Sequence, residues 1–184
     1  SDPVLMYGPA LGIQFGERWS FSSVTLYNST PMISRNQGNI EQEINRLDSD
    51  SILNYSINRY FKVFAGVKYQ YLAASLPSAD VYFWDAGPGL GTGITIPVID
   101  NLFCVINLAG MYTKGRFTNE ANSSLNCDLV RYGYNFAPCF AYYIEQISTT
   151  VMAGYRYQFY KTEYSNDIND TEMSFYGFTC SVIY

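Results

Sequence analysis

The residues best placed to do chemistry are five charged residues in the middle of predicted strands: Lys62, Lys68, Asp85, Arg131 and Arg156. A buried charge is costly unless it is paired, so we expect Asp85 to bond to Lys68 or to one of the two arginines. Asp48 and Asp50 can add negative charge from a neighbouring loop. This surplus of cations leaves two interpretations open: a positively lined channel that passes small anions better than cations, or a closed plug of ion pairs.

The absence of histidine argues against an enzyme. Hydrolases and acyltransferases that activate a nucleophile with a His base cannot be built from this chain. The acidic residues fall mainly in or beside predicted loops, where a solvated surface is their ordinary role. The run GPGLGTG at 87–93 has neither the Lys nor the following helix of a phosphate-binding loop, so we interpret its glycines as making space. The sequence therefore predicts no catalysis and no cofactor.

The cysteines predict no metal site either. They stand at Cys104, Cys127, Cys139 and Cys180, without a CxxC pair and without a His to complete a zinc set. An even number permits disulfides, but free buried thiols are the favoured interpretation.

The composition of the chain suits a β-protein that lies in a membrane. A single domain over residues 1–184 is expected from the length. Charged residues make up 15% of it, against about 25% in soluble domains, whereas aromatic residues make up 17%. No run approaches the ~18 apolar residues of a membrane helix, and a net charge of −5 argues against nucleic acid as a partner. A soluble sandwich or lipocalin-like barrel has a similar composition.

Strand and turn signals predict four β-hairpins and a final strand. Tight turns are expected near 16–18, 58–60, 97–101 and 145–146. Longer polar segments at 28–49, 74–80, 113–128 and 163–171 are predicted as loops. Short turns at one end and long loops at the other are typical of outer-membrane barrels, although an uneven soluble meander has the same pattern.

The two faces of the predicted strands differ sharply. One face carries large apolar and aromatic residues, for example Trp84, Leu90 and Tyr155, and it carries no charge until Lys114 and Lys161 near loop ends. The other face carries glycine, amides and the five mid-strand charges. A small barrel has little room inside for so many aromatic rings, and a glycine-rich charged wall is a poor water-facing surface. We therefore expect the aromatic face to point outward into lipid, with aromatic girdles at both interfaces.

The last strand carries the sharpest motif, with apolar or aromatic residues at alternate positions up to the end of the sequence: Tyr176, Phe178, Cys180, Val182 and Tyr184. On this motif and the alternation of faces, the chain resembles the small outer-membrane β-barrel superfamily, the OmpA- and OmpX-like proteins. The resemblance implies that this strand is the signal recognised by the barrel-assembly machinery. Cys180 departs from the pattern, because a larger apolar residue is usual there.

The expected fold is an all-β, closed, antiparallel, up-and-down transmembrane barrel of eight to ten strands. Nine strands are visible, and bacterial single-chain barrels have an even number. Ten strands, with one outside this sequence, is the preferred interpretation, and eight is the second. We expect a non-enzymatic protein of the bacterial outer membrane, either a structural surface protein or a narrow channel. The alternatives are an adhesion or docking barrel, whose loops 28–49 and 113–128 bind a protein partner, and a soluble ligand-binding barrel.

Overall fold

The computed structural model describes residues 6–28, 31–35, 41–76, 79–166 and 170–183, and this part of the chain is almost entirely β-strand. Its eleven strand segments are listed here in chain order: β1 Met6–Tyr7, β2 Ala10–Phe15, β3 Trp19–Asn28, β4 Met32–Arg35, β5 Glu41–Ser56, β6 Phe61–Leu76, β7 Ala79–Ile99, β8 Leu102–Asn119, β9 Cys127–Ile144, β10 Thr149–Tyr164 and β11 Thr171–Ile183. Short 3-10 turns lie at Ser123–Leu125 and Glu145–Ile147. No helix in these ranges is long and apolar enough to cross a membrane.

All the segments belong to one antiparallel sheet with up-and-down connections. Because β1 and β2 both pair with β3, and β3 and β4 both pair with β5, the eleven segments occupy nine positions. The four predicted hairpins are confirmed as β2–β3, β5–β6, β7–β8 and β9–β10. Their tight turns define the turn end of the sheet, and the opposite end is called the loop end.

The sheet curls into a half-barrel. Four strands separate β5 from β10 in the sheet order. Even so, Arg156 of β10 lies 2.8 Å from Asp50 of β5 across the concave side. The two edges of the sheet are β1/β2 and β11, and no backbone ladder joins them among the described residues. Both edge strands run from the loop end to the turn end, so they are parallel to each other.

The predicted loops are too long in comparison with the structure. Strands β3, β4 and β5 occupy most of 28–49, and β8 continues to Asn119 before β9 begins at Cys127. Asp48 and Asp50 therefore lie inside β5 and not on a loop, which corrects the sequence interpretation. Polar residues at these strand ends resemble loop composition, but in the structure they alternate between the two faces like the rest of the strand.

Pro88 in β7 and Pro138 in β9 interrupt the backbone ladder without shifting its register. Between β7 and β8 the pairs Ala86↔Lys114 and Gly89↔Met111 keep one register on either side of Pro88. Pro138 interrupts the β9–β10 ladder in the same way. Proline lacks an N–H group, so it removes a ladder bond and is tolerated here on the outward face. The one register shift between β7 and β8 lies at 97–99, near the turn.

Candidate functional site

The concave side of the sheet has three zones, arranged from the loop end to the turn end. The first is an apolar cap, a buried cluster of Leu72, Ala74, Val81, Phe117, Cys127 and Leu129. Next comes a charged layer that contains the buried residues Arg46, Asp48, Lys68, Gln70, Asp85, Arg131 and Gln158, with Asp50 and Arg156 at its lower edge. The third zone, the turn-end cavity, has a volume of about 610 Å³.

Arg46 and Asp48 form the upper ion pair of the charged layer. Arg46 Nη2 lies 2.6 Å from Asp48 Oδ2 and also donates to Gln158 Oε1 at 2.8 Å. Gln70 Nε2 donates to the other carboxylate oxygen of Asp48 at 2.7 Å. These contacts join β5 to β6 and to β10, so this pair holds opposite sides of the curled sheet together.

Asp85 forms the second pair, with Arg131, one of the partners expected for it. Asp85 is completely buried and Arg131 is 3% exposed. Arg131 also donates from Nε to Thr162 Oγ1 at 3.0 Å and from Nη1 to Gln70 Oε1 at 3.3 Å. The arginine therefore has partners on three other strands, and these charge-assisted bonds hold its guanidinium in one position.

Asp50 bridges two cations at the lower edge of the layer. Its carboxylate accepts from Lys68 Nζ at 2.9 Å and from Arg156 Nη2 at 2.8 Å. Lys68 also lies 4.0 Å from Asp48, and Arg156 donates to Asn135 Oδ1 at 3.1 Å. Asp48 and Asp50, which the sequence interpretation placed on a loop, therefore neutralise cations that Asp85 does not reach.

Tyr160 lies at the centre of the charged layer. Its hydroxyl accepts from Gln70 Nε2 at 2.9 Å, and its ring lies 5.9 Å from the guanidinium carbon of Arg46 and 5.7 Å from that of Arg131. Phe175 of β11 also contacts Arg46, with 3.8 Å between ring centroid and guanidinium carbon. Cation–π contacts of this kind add to the ion pairs where water is excluded.

Lys62 is the one predicted lumen residue that the structure does not bring into the charged layer. It lies nearer the turn end of β6, half-buried, and lines the cavity. Its side-chain ammonium makes no hydrogen bond or ion pair with any residue in the described ranges. Of the five predicted charges, Lys68, Asp85, Arg131 and Arg156 therefore belong to the layer and Lys62 stands apart.

The glycines of 87–93 make space for side chains from β6. A Cβ atom on Gly91 would lie 2.3 Å from the Phe64 ring, and one on Gly93 would lie 2.5 Å from Lys62 Cε. A Cβ on Gly89 would meet only the carbonyl oxygen of Gly110, at 3.5 Å. Gly89 therefore faces the cavity, whereas Gly91 and Gly93 accommodate the two inward side chains.

Residues of the predicted assembly signal lie on the convex side. Phe178 is 91% exposed, Tyr176 is 68% and Val182 is 64%, and Cys180 is exposed as well. Tyr184 lies outside the described residues. All four cysteines are free thiols, and Cys127 alone is buried.

Arg46 was missed as an inward residue, and Asp48 and Asp50 were placed at a loop end and not inside a strand, because residues 28–49 were interpreted as loop. The signal was present in the sequence. Ile44, Arg46, Asp48, Asp50, Ile52 and Asn54 alternate with Leu47, Leu53 and Tyr55 on the other parity. A period of two that continues through polar residues is still a strand pattern.

The arrangement can fix charges and block a lumen, and no nucleophile and base are paired in it. No group of His, Cys, Asp or Glu residues suited to a metal ion occurs within the described ranges. No protein-family model matches the chain, and no curated protein matches it significantly. The resemblance to OmpA- and OmpX-like proteins therefore stays a prediction.

Proposed function

We propose that the protein is a non-enzymatic, integral β-barrel protein of the bacterial outer membrane, with a lumen plugged by ion pairs. The observation that carries the proposal is that the apolar face of the sheet is exposed and the charged face is buried, the inverse of a water-soluble protein. Leu90 is 68% exposed and Val67 is 57% exposed, whereas Asp85 is completely buried and Lys68 is 4% exposed. Water-soluble proteins bury large apolar residues and expose charges, so a convex face of this kind supports contact with lipid.

The dimensions of the convex face fit a bilayer. Trp84 is near the loop end of β7, and Thr92 lies eight residues further along the same strand. Thr92 pairs with Val63 of β6, Val63 pairs with Tyr55 of β5, and Tyr55 pairs with Trp19 of β3. Thr92 and Trp19 therefore lie on one line of paired residues across the sheet. A strand rises about 3.3 Å per residue, so this span is about 26 Å along the strand, which at the ~40° tilt of barrel strands is about 20 Å along the membrane normal, most of the ~25 Å apolar band of membrane barrels. Trp84 and Trp19 thus occupy the two expected aromatic girdles.

Charges on the outer surface gather towards the loop end and the turn end of the strands. At the loop end they include Lys114, Arg116 and Lys161, and Lys161 lies 3.5 Å from both Glu163 and Asp170. At the turn end they lie on the turns and include Glu17, Arg59, Asp100 and Glu145. An uncharged belt between two charged rims supports a membrane-spanning orientation.

The charged layer favours a plug over an open channel. Arg46, Lys68, Arg131 and Arg156 each have a carboxylate partner within 2.9 Å, and the apolar cap lies above them. An ion would have to break buried pairs to pass this layer, which costs several kcal/mol (about 3–5) for each pair. The selective passage of anions expected from unpaired cations therefore loses its physical basis.

The closed form that we propose has ten strands. Because β1/β2 and β11 run in the same direction, closure of an antiparallel ring requires a further strand between them, antiparallel to both. Pairing would also remove the two exposed strand edges, which cannot be left unsatisfied in lipid. We further propose that Tyr176, Phe178, Cys180 and Val182 on β11 contact the assembly machinery.

The two alternatives receive less support. An adhesion function was expected from loops at 28–49 and 113–128, and strands occupy most of both. A soluble ligand-binding barrel would present the belt around Leu90 to water. Loss of partner binding after deletion of 120–126 would favour the adhesion function. Solubility without detergent would favour the soluble ligand-binding barrel.

The test is reconstitution of the refolded protein in vesicles and in planar bilayers. We expect protease-resistant insertion into vesicles and no steady conductance above the bare bilayer. Discrete, long-lived current steps would overturn the plug, and a clear selectivity for anions in a salt gradient would restore the channel. Failure to associate with vesicles would overturn the membrane assignment itself.

A further inference from the structure

The turn-end cavity is the part of the lumen that the plug does not use. Its volume of about 610 Å³ lies in the range of about 300–1,000 Å³ that small-molecule sites occupy. Its walls are mainly apolar and include Ile52, Phe64, Ala109, Met111, Ala137 and Met152. Apolar walls with a few polar groups are typical of a site for a small apolar or amphipathic molecule.

Lys62 supplies one charge in this cavity. Its aliphatic stem lies over Gly93, where a Cβ would be 2.5 Å from its Cε. The cations of the charged layer are paired with Asp48, Asp50 and Asp85, whereas Lys62 has no carboxylate partner in the described ranges. A half-buried cation without a partner favours an anion beside it.

Asn107 places an amide group at the same point. Its Oδ1 is buried without a hydrogen-bond partner in the described part of the chain. The same atom lies 2.6 Å from the Cβ position of Gly93, next to the stem of Lys62. This oxygen is an acceptor, but a half-turn of the amide presents its N–H group instead, which can donate together with the Lys62 ammonium to one carboxylate.

The lining also reaches both edges of the sheet. It includes Met6, Tyr7 and Ala10 of the first edge, together with Phe178 and Val182 of the last. At the other end, Asp50, Lys68 and Arg156 close the cavity with charges that are already paired. An occupant would therefore place its polar end at Lys62 and its apolar part along the walls.

We propose that the turn-end cavity binds a single-chain alkyl carboxylate, with the carboxylate at Lys62 and Asn107 and the chain along the apolar walls. The proposal rests on the proposed membrane barrel only for the source of the ligand, which is the surrounding lipid. Binding itself depends on the cavity and can be measured in detergent.

The experiment is native mass spectrometry of the refolded protein in a non-ionic detergent, titrated with laurate or with methyl laurate. We expect one laurate per chain and binding of the ester weaker by about tenfold, because the ester carries no charge for Lys62 to pair with. Equal affinity for the acid and the ester, or no adduct of either, would overturn the proposal.

Four variants sharpen the test. Lys62→Met should lower the affinity for laurate to that for the ester, and Lys62→Arg should retain most of it. Lys114→Met, on the convex face at the loop end, is the matched control and should change nothing. Gly89→Leu should abolish binding by filling the cavity. Equal effects of Lys62→Met and Lys114→Met would contradict the site.

Two failures can be told apart. Laurate binding in detergent by a protein that does not insert into vesicles would overturn the proposed function and keep the site. Insertion into vesicles without laurate binding would overturn the site and keep the proposed function. Lys62→Met is used only if its far-ultraviolet circular dichroism shows that it folds. If it does not fold, the affinities of the unchanged protein and of Gly89→Leu for laurate and for methyl laurate still test the proposed site.

Discussion

The two halves of the concave side are built on the same strands but are filled differently. Towards the loop end the concave face is packed, with Leu129 2% exposed in the apolar cap and Asp85 paired with Arg131 beneath it. Towards the turn end the same strands carry Gly89, Ala109 and Ala137, and a cavity remains. The difference lies in the size of the inward residues, because both halves share the same backbone ladders.

The comparison indicates where stability and function should separate. Each cation of the charged layer holds two or more strands together, so a change there should weaken the whole barrel. Lys62 holds none in the described structure, so a change there should affect ligand binding without a loss of stability. The following substitutions test this division, from the largest expected effect to the smallest.

Arg131→Met should have the largest effect. It leaves Asp85 buried without its cation, and breaking a buried pair in this way costs about 3–5 kcal/mol. The measurement is urea unfolding in vesicles, followed by tryptophan fluorescence. The double variant Asp85→Leu/Arg131→Met should recover much of the loss, since it removes both charges. A loss below about 1 kcal/mol for the single variant would mean that the inward face is wrongly assigned.

Leu129→Ala should come next. Leu129 is 2% exposed in the apolar cap, and truncation of a buried leucine costs about 2–5 kcal/mol. The matched control is Leu90→Ala on the convex face, where the lipid can fill the space and the loss should be about 1 kcal/mol or less. The same unfolding assay applies. A larger loss for Leu90 than for Leu129 would reverse the inside and the outside of the sheet.

Tyr160→Phe should have a smaller effect. It removes the hydroxyl that accepts from Gln70 and leaves that donor with one partner fewer in a buried place, which costs about 1–3 kcal/mol. Tyr155→Phe, on the outward face of the same strand, is the control and should be nearly neutral. Equal losses for the two tyrosines would indicate that the charged layer does not form.

Lys62→Met should be neutral or should stabilise the protein by up to about 1 kcal/mol, because it removes a half-buried charge that has no partner. Lys68→Met, six residues away on the same face of β6, removes the 2.9 Å bond to Asp50 and should cost about 2–3 kcal/mol. Both are measured by urea unfolding in the absence of ligand. Similar losses for both lysines would remove the distinction between the two halves.

Much of the fold could be predicted from the sequence, because the period-two pattern is strong wherever one face is apolar. The hairpin turns and the outward position of Trp84 and Leu90 follow from it. The lengths of the strands did not follow, since Arg46, Asp48 and Asp50 give β5 the composition of a loop. Closure and the transmembrane orientation stay predictions.

The candidate site could be predicted only in part. Parity identifies Lys62 and Lys68 as inward residues, but it cannot tell that one is paired and the other is not. That difference depends on Asp50, its partner on the neighbouring strand, which the sequence interpretation placed beside a loop and not in a strand. The cavity depends on the curvature of the sheet, and a strand pattern carries no information about curvature.

The central claim is that the convex face contacts lipid, and the two tryptophans test it directly. The single-tryptophan variants Trp19→Phe and Trp84→Phe, reconstituted in vesicles, leave one reporter at each proposed girdle. Lipids brominated near the headgroup should quench both reporters strongly, and lipids brominated near the end of the acyl chain should quench them less. The aqueous quencher iodide should have little effect on either. Strong quenching by iodide, with none by the brominated lipids, would contradict the account.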